Sequence, residues 1–91
     1  MKKAVKAEIK GTVQGVFFRN FIKENADKLG LKGFVRNLDN GNVEVFIEGE
    51  IDNVDKMCDI CRQGAKHAVV KDVKVEEQPF QDIKDFKILH L

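Results

Sequence analysis

The spacing of the hydrophobic residues changes along the chain, and the order of these changes limits the folds that it can adopt. Between Val5 and Val13 apolar residues alternate with charged ones, which is the two-residue period of a half-buried strand. Over residues 16–29 the apolar residues recur every three or four positions, which predicts a helix that Gly30 ends. The chain therefore begins with a strand followed directly by a helix.

The rest of the chain again alternates between strand-like and helix-like spacing of the apolar residues. Strands are predicted at 31–38 and 42–49, and Asp39-Asn40-Gly41 between them is a strong hairpin signal. Asp52 is the expected cap of a second helix that ends near Gly64. Another strand follows at 67–77, Pro79 ends it, and residues 85–91 form a short last strand.

This order of elements predicts an α+β fold of the ferredoxin-like βαββαβ type with an extra short C-terminal strand. Two helices on one face of an antiparallel sheet is the economical packing of such elements, and residues 1–91 are expected to form a single domain. The fold is shared by enzymes, RNA-binding modules and metal carriers, so it does not by itself indicate a function.

Composition excludes several classes of protein. The formal net charge is +1 and charges of both signs are mixed along the chain, so neither a nucleic acid nor a membrane is an expected partner. No apolar run approaches the roughly 20 residues of a membrane span, and no apolar segment of a signal peptide follows the basic N-terminus. Cys58 and Cys61 lie on the apolar face of a predicted helix, which favours reduced core thiols over a metal site. A cytoplasmic protein is expected.

The segment KGTVQGVFFRNF, residues 10–21, passes from strand to helix without a good capping residue. Between Thr12 and Asn20 no Ser, Thr, Asp or Asn can accept the free N–H groups of the first helical turn. Gly15 permits a sharp backbone turn, and Arg19 adds a planar set of donors suited to phosphate or carboxylate. These features predict an anion-binding site. The alternative is that Asn20 caps a helix that starts later and that Arg19 is a surface charge.

Topology brings Asn37 towards this segment. In a βαβ unit the two strands run parallel, so their carboxyl ends lie at the same edge of the sheet. Asn37 has the same parity as Val35, which is expected to face the core. We therefore expect Asn37 to lie near Arg19.

Two sequence blocks resemble the signature of the acylphosphatase family, G-x-V-Q-G-V-x-F-R followed by G-x-V-x-N. The resemblance extends over nearly the whole chain, with departures at Gly64-Ala65, where the family often has Gly-Pro, and at Leu91, where it often has an aromatic residue. The matching residues are Gly11, Val13, Gln14, Gly15, Val16, Phe18 and Arg19 in the first block and Gly33, Val35 and Asn37 in the second.

The resemblance implies hydrolysis of carboxyl-phosphate mixed anhydrides without a metal or a cofactor. Small-molecule acyl phosphates would be the substrates and inorganic phosphate a product ligand, and the protein is expected to be a monomer. Arg19 and Asn37 would be the catalytic residues, with Asn37 orienting the attacking water. The residues implied to bind the phosphoryl group, mainly through backbone N–H groups and the Arg19 side chain, are Gln14, Gly15, Val16, Phe17, Phe18 and Arg19.

Two other functions remain open at this point. A phosphate-binding domain without catalytic activity would use the same site. A ferredoxin-like RNA-binding module is suggested by Lys32-Gly33-Phe34 and by the shared outward parity of Phe34 and Phe46, because such modules stack bases on sheet aromatics. His67 and His90 are isolated in the sequence and are interpreted as strand-end or surface residues.

Overall fold

The structure is a computed structural model that describes residues 1–90. It confirms the predicted order of elements, while the expected end of the last strand at Leu91 lies outside the described residues. The elements are β1 (Lys2–Thr12), α1 (Val16–Lys28), β2 (Lys32–Asn37), β3 (Val43–Glu50), α2 (Ile51–Gln63), β4 (Val69–Gln78) and β5 (Phe86–Leu89).

The five strands form one sheet in the order β4-β1-β3-β2-β5. Strand β3 is antiparallel to both β1 and β2, so β1 and β2 are parallel to each other, as expected for a βαβ unit. The extra C-terminal strand makes the sheet mixed, because β5 pairs parallel with β2. The reason is that the chain crosses from the β4 edge to the opposite edge before β5 begins, and it then runs in the same direction as β2.

The hydrophobic core lies between the two helices and one face of the sheet, which confirms the ferredoxin-like arrangement. Helix α1 contributes Phe18, Ile22 and Ala26, and alternate residues of the three central strands face them. Helix α2 contributes Val54, Met57, Cys58 and Cys61. Both cysteines are free and buried, as predicted, and burial raises the pKa of each thiol, that of Cys61 to about 12.

The opposite face of the sheet is partly covered by the β4–β5 connection, residues 79–85. Glu48 of β3 points to this face and is only 1% exposed. Its carboxylate accepts hydrogen bonds from the backbone N–H groups of Gln81 (2.7 Å) and Ile83 (2.5 Å). Phe46 on the same face is 3% exposed and stacks on Phe34 with ring centroids 5.6 Å apart. Phe46 is therefore not an open platform for base stacking.

Helix α2 starts two residues earlier than capping by Asp52 would require. Glu50, in extended conformation (φ −62°, ψ 139°), occupies the cap position and makes no side-chain cap hydrogen bond. The prediction that Asp52 caps the helix is wrong, because β3 runs into α2 without a loop and Asp52 falls within the first turn. At that position its charge is favourable to the helix dipole.

Within residues 1–90 no helix has the length and apolar character needed to cross a membrane.

Candidate active site

The first turn of α1 begins as an uncapped helix start. Gly15 occupies the cap position with φ 121° and ψ 166°, and it supplies no side-chain cap. The helix starts at Val16, so the alternative in which Asn20 caps a later helix is wrong. The first helical hydrogen bond runs from the Arg19 N–H to the Gly15 carbonyl oxygen at 3.3 Å. The N–H groups of residues 15–18 precede that bond and have no intrahelical acceptor.

The apolar side chains of this first turn differ in their exposure to solvent. Phe18 is buried in the core, whereas Phe17 is 87% exposed and Val16 is 51% exposed. The dipole of α1 adds positive potential at this end, and the first turn carries no acidic residue. The turn can therefore offer an anion its backbone N–H groups.

The guanidinium of Arg19 lies at the same end of the helix. Its Nε donates to the Gly15 carbonyl oxygen at 3.4 Å, and its Nη1 lies 3.3 Å from Nδ1 of His90. Among the described residues no carboxylate forms an ion pair with Arg19. Since its backbone N–H is used within the helix, Arg19 can contribute to anion binding only through its side chain.

Asn37 is the last residue of β2, with the parity of the core residue Val35. Its Oδ1 atom is buried and has no hydrogen-bond partner within residues 1–90. A buried acceptor without a partner is costly in a folded protein and is usually satisfied by water or a ligand. Because Asn37 also lines an open pocket, that partner can be supplied from solvent.

Gln14 connects the start of the helix to the turn that follows β2. Its side-chain amide nitrogen donates to the carbonyl oxygens of Leu38 (2.7 Å) and Asn42 (3.2 Å). The turn is also closed by a hydrogen bond from the Leu38 N–H to the Asn42 carbonyl oxygen at 2.8 Å. The side-chain donors of Gln14 thus fasten the turn next to Asn37, and they are already engaged with protein acceptors.

One pocket of about 430 Å³ contains Gln14, Arg19 and Asn37. Residues 15–18, the other predicted phosphate-binding residues, are not among those that line it. The residues that line this pocket come from the helix start, from the end of β2 and from the end of β5. Asp39, in the turn that follows β2, lines it as well. The other lining residues are Gln14, Arg19, Asn37, Leu38, Leu89 and His90. The expected proximity of Arg19 and Asn37 is therefore present in the structure.

His90 follows the last strand and is exposed, as predicted, but it also lines the pocket, which the sequence interpretation missed. The parallel pairing of β5 with β2 places Leu89 opposite Arg36, so the following residue, His90, comes level with Asn37. No local pattern indicates this neighbour, because it depends on which edge of the sheet β5 joins.

The donors at this site suit an anion. No group of three or more His, Cys, Asp or Glu side chains lies together in the described part of the chain. Backbone N–H groups, a helix dipole and a guanidinium are instead the groups that proteins use to bind phosphate. The adjacent amide of Asn37 can hold a water molecule beside such an anion.

Comparisons with known proteins identify the family of this chain. The sequence profile of the acylphosphatase family matches residues 5–88. An acylphosphatase of Syntrophus aciditrophicus is 43% identical over 91 residues, which cover 99% of this chain and 95% of that protein. An acylphosphatase of Rubrobacter xylanophilus is 48% identical over 77 residues, which cover 85% and 70% respectively. The structure of an acylphosphatase from Coxiella burnetii superposes with a TM-score of 0.92 at 34% identity and covers 97% of this chain and 93% of that one. The chain belongs to the acylphosphatase family.

Proposed function

We propose that this protein hydrolyses acyl phosphates to a carboxylate and inorganic phosphate by direct in-line attack of water, without a metal ion. The observation that carries the proposal is the buried, unpartnered Oδ1 of Asn37, which shares one pocket with Arg19 at an uncapped helix start. An acceptor for water and a set of donors for phosphate are the two elements that the reaction requires.

The helix start and Arg19 bind the phosphoryl group in this proposal. The backbone N–H groups of residues 15–18 surround two of its oxygens, and the Arg19 guanidinium donates to a third. Phosphoryl transfer passes through a loose transition state with charge spread over these oxygens. Donors that are already fixed in place stabilise that charge without reorganising during the reaction.

Asn37 positions the attacking water. Its Oδ1 accepts a hydrogen bond from the water, which orients a lone pair of the water oxygen towards phosphorus. An amide does not take up a proton, and none has to be removed to a base. A new P–O bond forms as the bond between phosphorus and the acyl oxygen breaks, and both water protons stay with the product as H₂PO₄⁻. Positioning of this kind can contribute several kcal/mol to the rate.

The leaving group explains why so few catalytic residues suffice. It departs as a carboxylate, whose conjugate acid has a pKa of about 4. It therefore needs no proton from a general acid. In other phosphatases a metal ion neutralises the negative charge of the phosphoryl oxygens. Here the guanidinium of Arg19 and the helix N–H groups stabilise that charge.

The test is hydrolysis of benzoyl phosphate in excess EDTA by the wild-type protein, Asn37→Ala and Arg19→Gln. Asn37→Ala should lower kcat by about 100-fold or more, because water is no longer oriented, while inorganic phosphate still inhibits with similar affinity. Arg19→Gln should weaken both turnover and phosphate binding, since each charge-assisted hydrogen bond contributes about 1.5–3 kcal/mol.

A matched control is Asn53→Ala, which removes the same amide from α2, an element that does not line the pocket. It should keep wild-type turnover. If Asn37→Ala also keeps wild-type rates, the proposed role of Asn37 is wrong. If the wild-type protein binds phosphate but turns nothing over, the site serves binding alone.

Three further expectations belong to this proposal. The buried free thiols of Cys58 and Cys61 support a reducing compartment, the cytoplasm. The burial of Phe46 argues against an RNA-binding surface on the sheet. We also expect a monomer, which light scattering would test, and unchanged scattering on addition of single-stranded RNA.

A further inference from the structure

The contact between Arg19 and His90 fits one tautomer of a neutral imidazole. Arginine carries only hydrogen-bond donors, so the Arg19 Nη1 that lies 3.3 Å from His90 Nδ1 can only donate. In such a hydrogen bond Nδ1 is the acceptor, and the ring is neutral with its proton on Nε2. A protonated imidazole has no acceptor and would repel the guanidinium at this distance.

This contact holds Arg19 without neutralising it. The guanidinium is engaged by two uncharged acceptors, the Gly15 carbonyl oxygen at 3.4 Å and the imidazole of His90. A carboxylate in the place of His90 would also orient the fork, but it would compete with phosphate for the same charge. Two neutral acceptors restrict a side chain with many rotamers, and neither of them neutralises its charge.

We propose that His90 in its neutral form is a positioning residue that aligns the Arg19 guanidinium for the phosphoryl group, and that protonation of His90 releases Arg19 and weakens the site. This inference rests on the proposed function, because it assigns a role through Arg19. It deepens that function by giving the site a dependence on pH that neither Arg19 nor Asn37 supplies.

Two charged groups, Arg19 and Asp39, contact His90 or line the same pocket. Arg19 faces it from α1, and Asp39 lines the same pocket from the turn after β2. On β2, Arg36 is paired with Glu44 at 2.8 Å, and it lies opposite Leu89. Histidine side chains in general change charge between about pH 5 and 8, a range in which guanidinium groups in proteins stay charged.

The test compares His90→Ala with His90→Asn. The Oδ1 of asparagine can accept near the place of Nδ1 but does not titrate in this range. At pH 8, His90→Ala should lower kcat/KM for benzoyl phosphate by roughly two- to tenfold, as expected for one lost hydrogen bond. His90→Asn should recover most of the loss. His67→Asn is the matched control, because His67 is exposed on the turn before β4 and does not line the pocket.

The pH profile separates positioning from a structural role. The ratio of kcat/KM for the wild type to that for His90→Asn cancels the titration of the substrate. It should fall roughly two- to tenfold from about pH 8 to about pH 5.5, whereas the ratio to His67→Asn should stay constant. A flat ratio to His90→Asn would overturn the proposal. A ratio that rises as the pH falls would also overturn it, since His90 would then be binding the anion itself.

Two measurements distinguish failure of this inference from failure of the proposed function. Nitrogen-15 NMR of the histidine side chains should show the Nε2–H tautomer for His90 at pH 8, and Arg19→Gln should shift this signal. In the Arg19→Gln background, His90→Ala should cause no further loss of kcat/KM, and a further loss of the full size would contradict the proposal. If Arg19→Gln itself is fully active, it is the proposed function that fails.

Discussion

Replacement of Glu48 by glutamine tests how the β4–β5 connection is held on the sheet. The Glu48 carboxylate is 1% exposed, and both of its oxygens accept backbone N–H groups, from Gln81 and Ile83. Glu48→Gln keeps the size of the side chain but turns one acceptor into an NH₂ donor. That donor must then face a backbone N–H, which loses its partner.

The expected loss of stability follows from these two bonds. A hydrogen bond to a charged group contributes about 1.5–3 kcal/mol and a neutral one about 0.5–1.5 kcal/mol, and an unpaired buried donor costs about 1–3 kcal/mol. The variant no longer buries a charge, which offsets part of the loss. We expect Glu48→Gln to lower the free energy of unfolding by about 2–4 kcal/mol, out of a total of about 5–15 kcal/mol for a small domain.

Urea denaturation followed by circular dichroism measures this change. The control is Glu77→Gln on β4, an exposed glutamate whose replacement should change the free energy of unfolding by less than about 0.5 kcal/mol. Amide hydrogen exchange should also quicken at Gln81 and Ile83. If Glu48→Gln is as stable as the control variant, the burial cost of the carboxylate cancels its hydrogen bonds and the reasoning fails.

Three other substitutions test the backbone and the core. Gly15→Ala should weaken inhibition by phosphate and lower the free energy of unfolding by about 1–2 kcal/mol. The site has room for a Cβ, but φ 121° is strained for any residue that carries one. Unchanged inhibition would contradict the role of this turn. Gly33→Ala should destabilise by more than about 3 kcal/mol, since a Cβ there collides with the Phe46 carbonyl oxygen, and a variant that melts like wild type would refute the close approach of β2 and β3. Burial raises the pKa of the Cys61 thiol to about 12. Above about pH 9 the unfolded chain therefore loses this proton while the folded protein keeps it. The free energy of unfolding then falls by up to about 1.4 kcal/mol per pH unit. Cys61→Ala should show a shallower alkaline decline in urea-denaturation experiments, and an equally steep one would contradict the assignment.

Patterns in the sequence were sufficient to predict the helices and strands and two features of the site, the open helix start and the approach of Asn37 to Arg19. The absence of a capping residue before Val16 and the presence of Gly15 predicted an open helix start, and the structure has one. The parity of Val35 and Asn37, with the parallel course of β1 and β2, predicted that Asn37 would approach Arg19, and one pocket contains both. The open helix start depends on residues that are close in the chain. The approach of Asn37 to Arg19 follows from strand parity and from the parallel strands of a βαβ unit, so both features could be predicted from the sequence.

Other features depend on which distant segments meet. Periodicity placed Phe46 on the outer face of the sheet, but it could not show that the β4–β5 connection crosses that face and binds Glu48. His90 was isolated in the sequence and became a neighbour of Arg19 because β5 joins the β2 edge in parallel. Strand order and the path of a crossing connection are settled by burial and by pairing between residues far apart in the chain. That is why only the tertiary structure could decide what covers the sheet and which side chain holds Arg19.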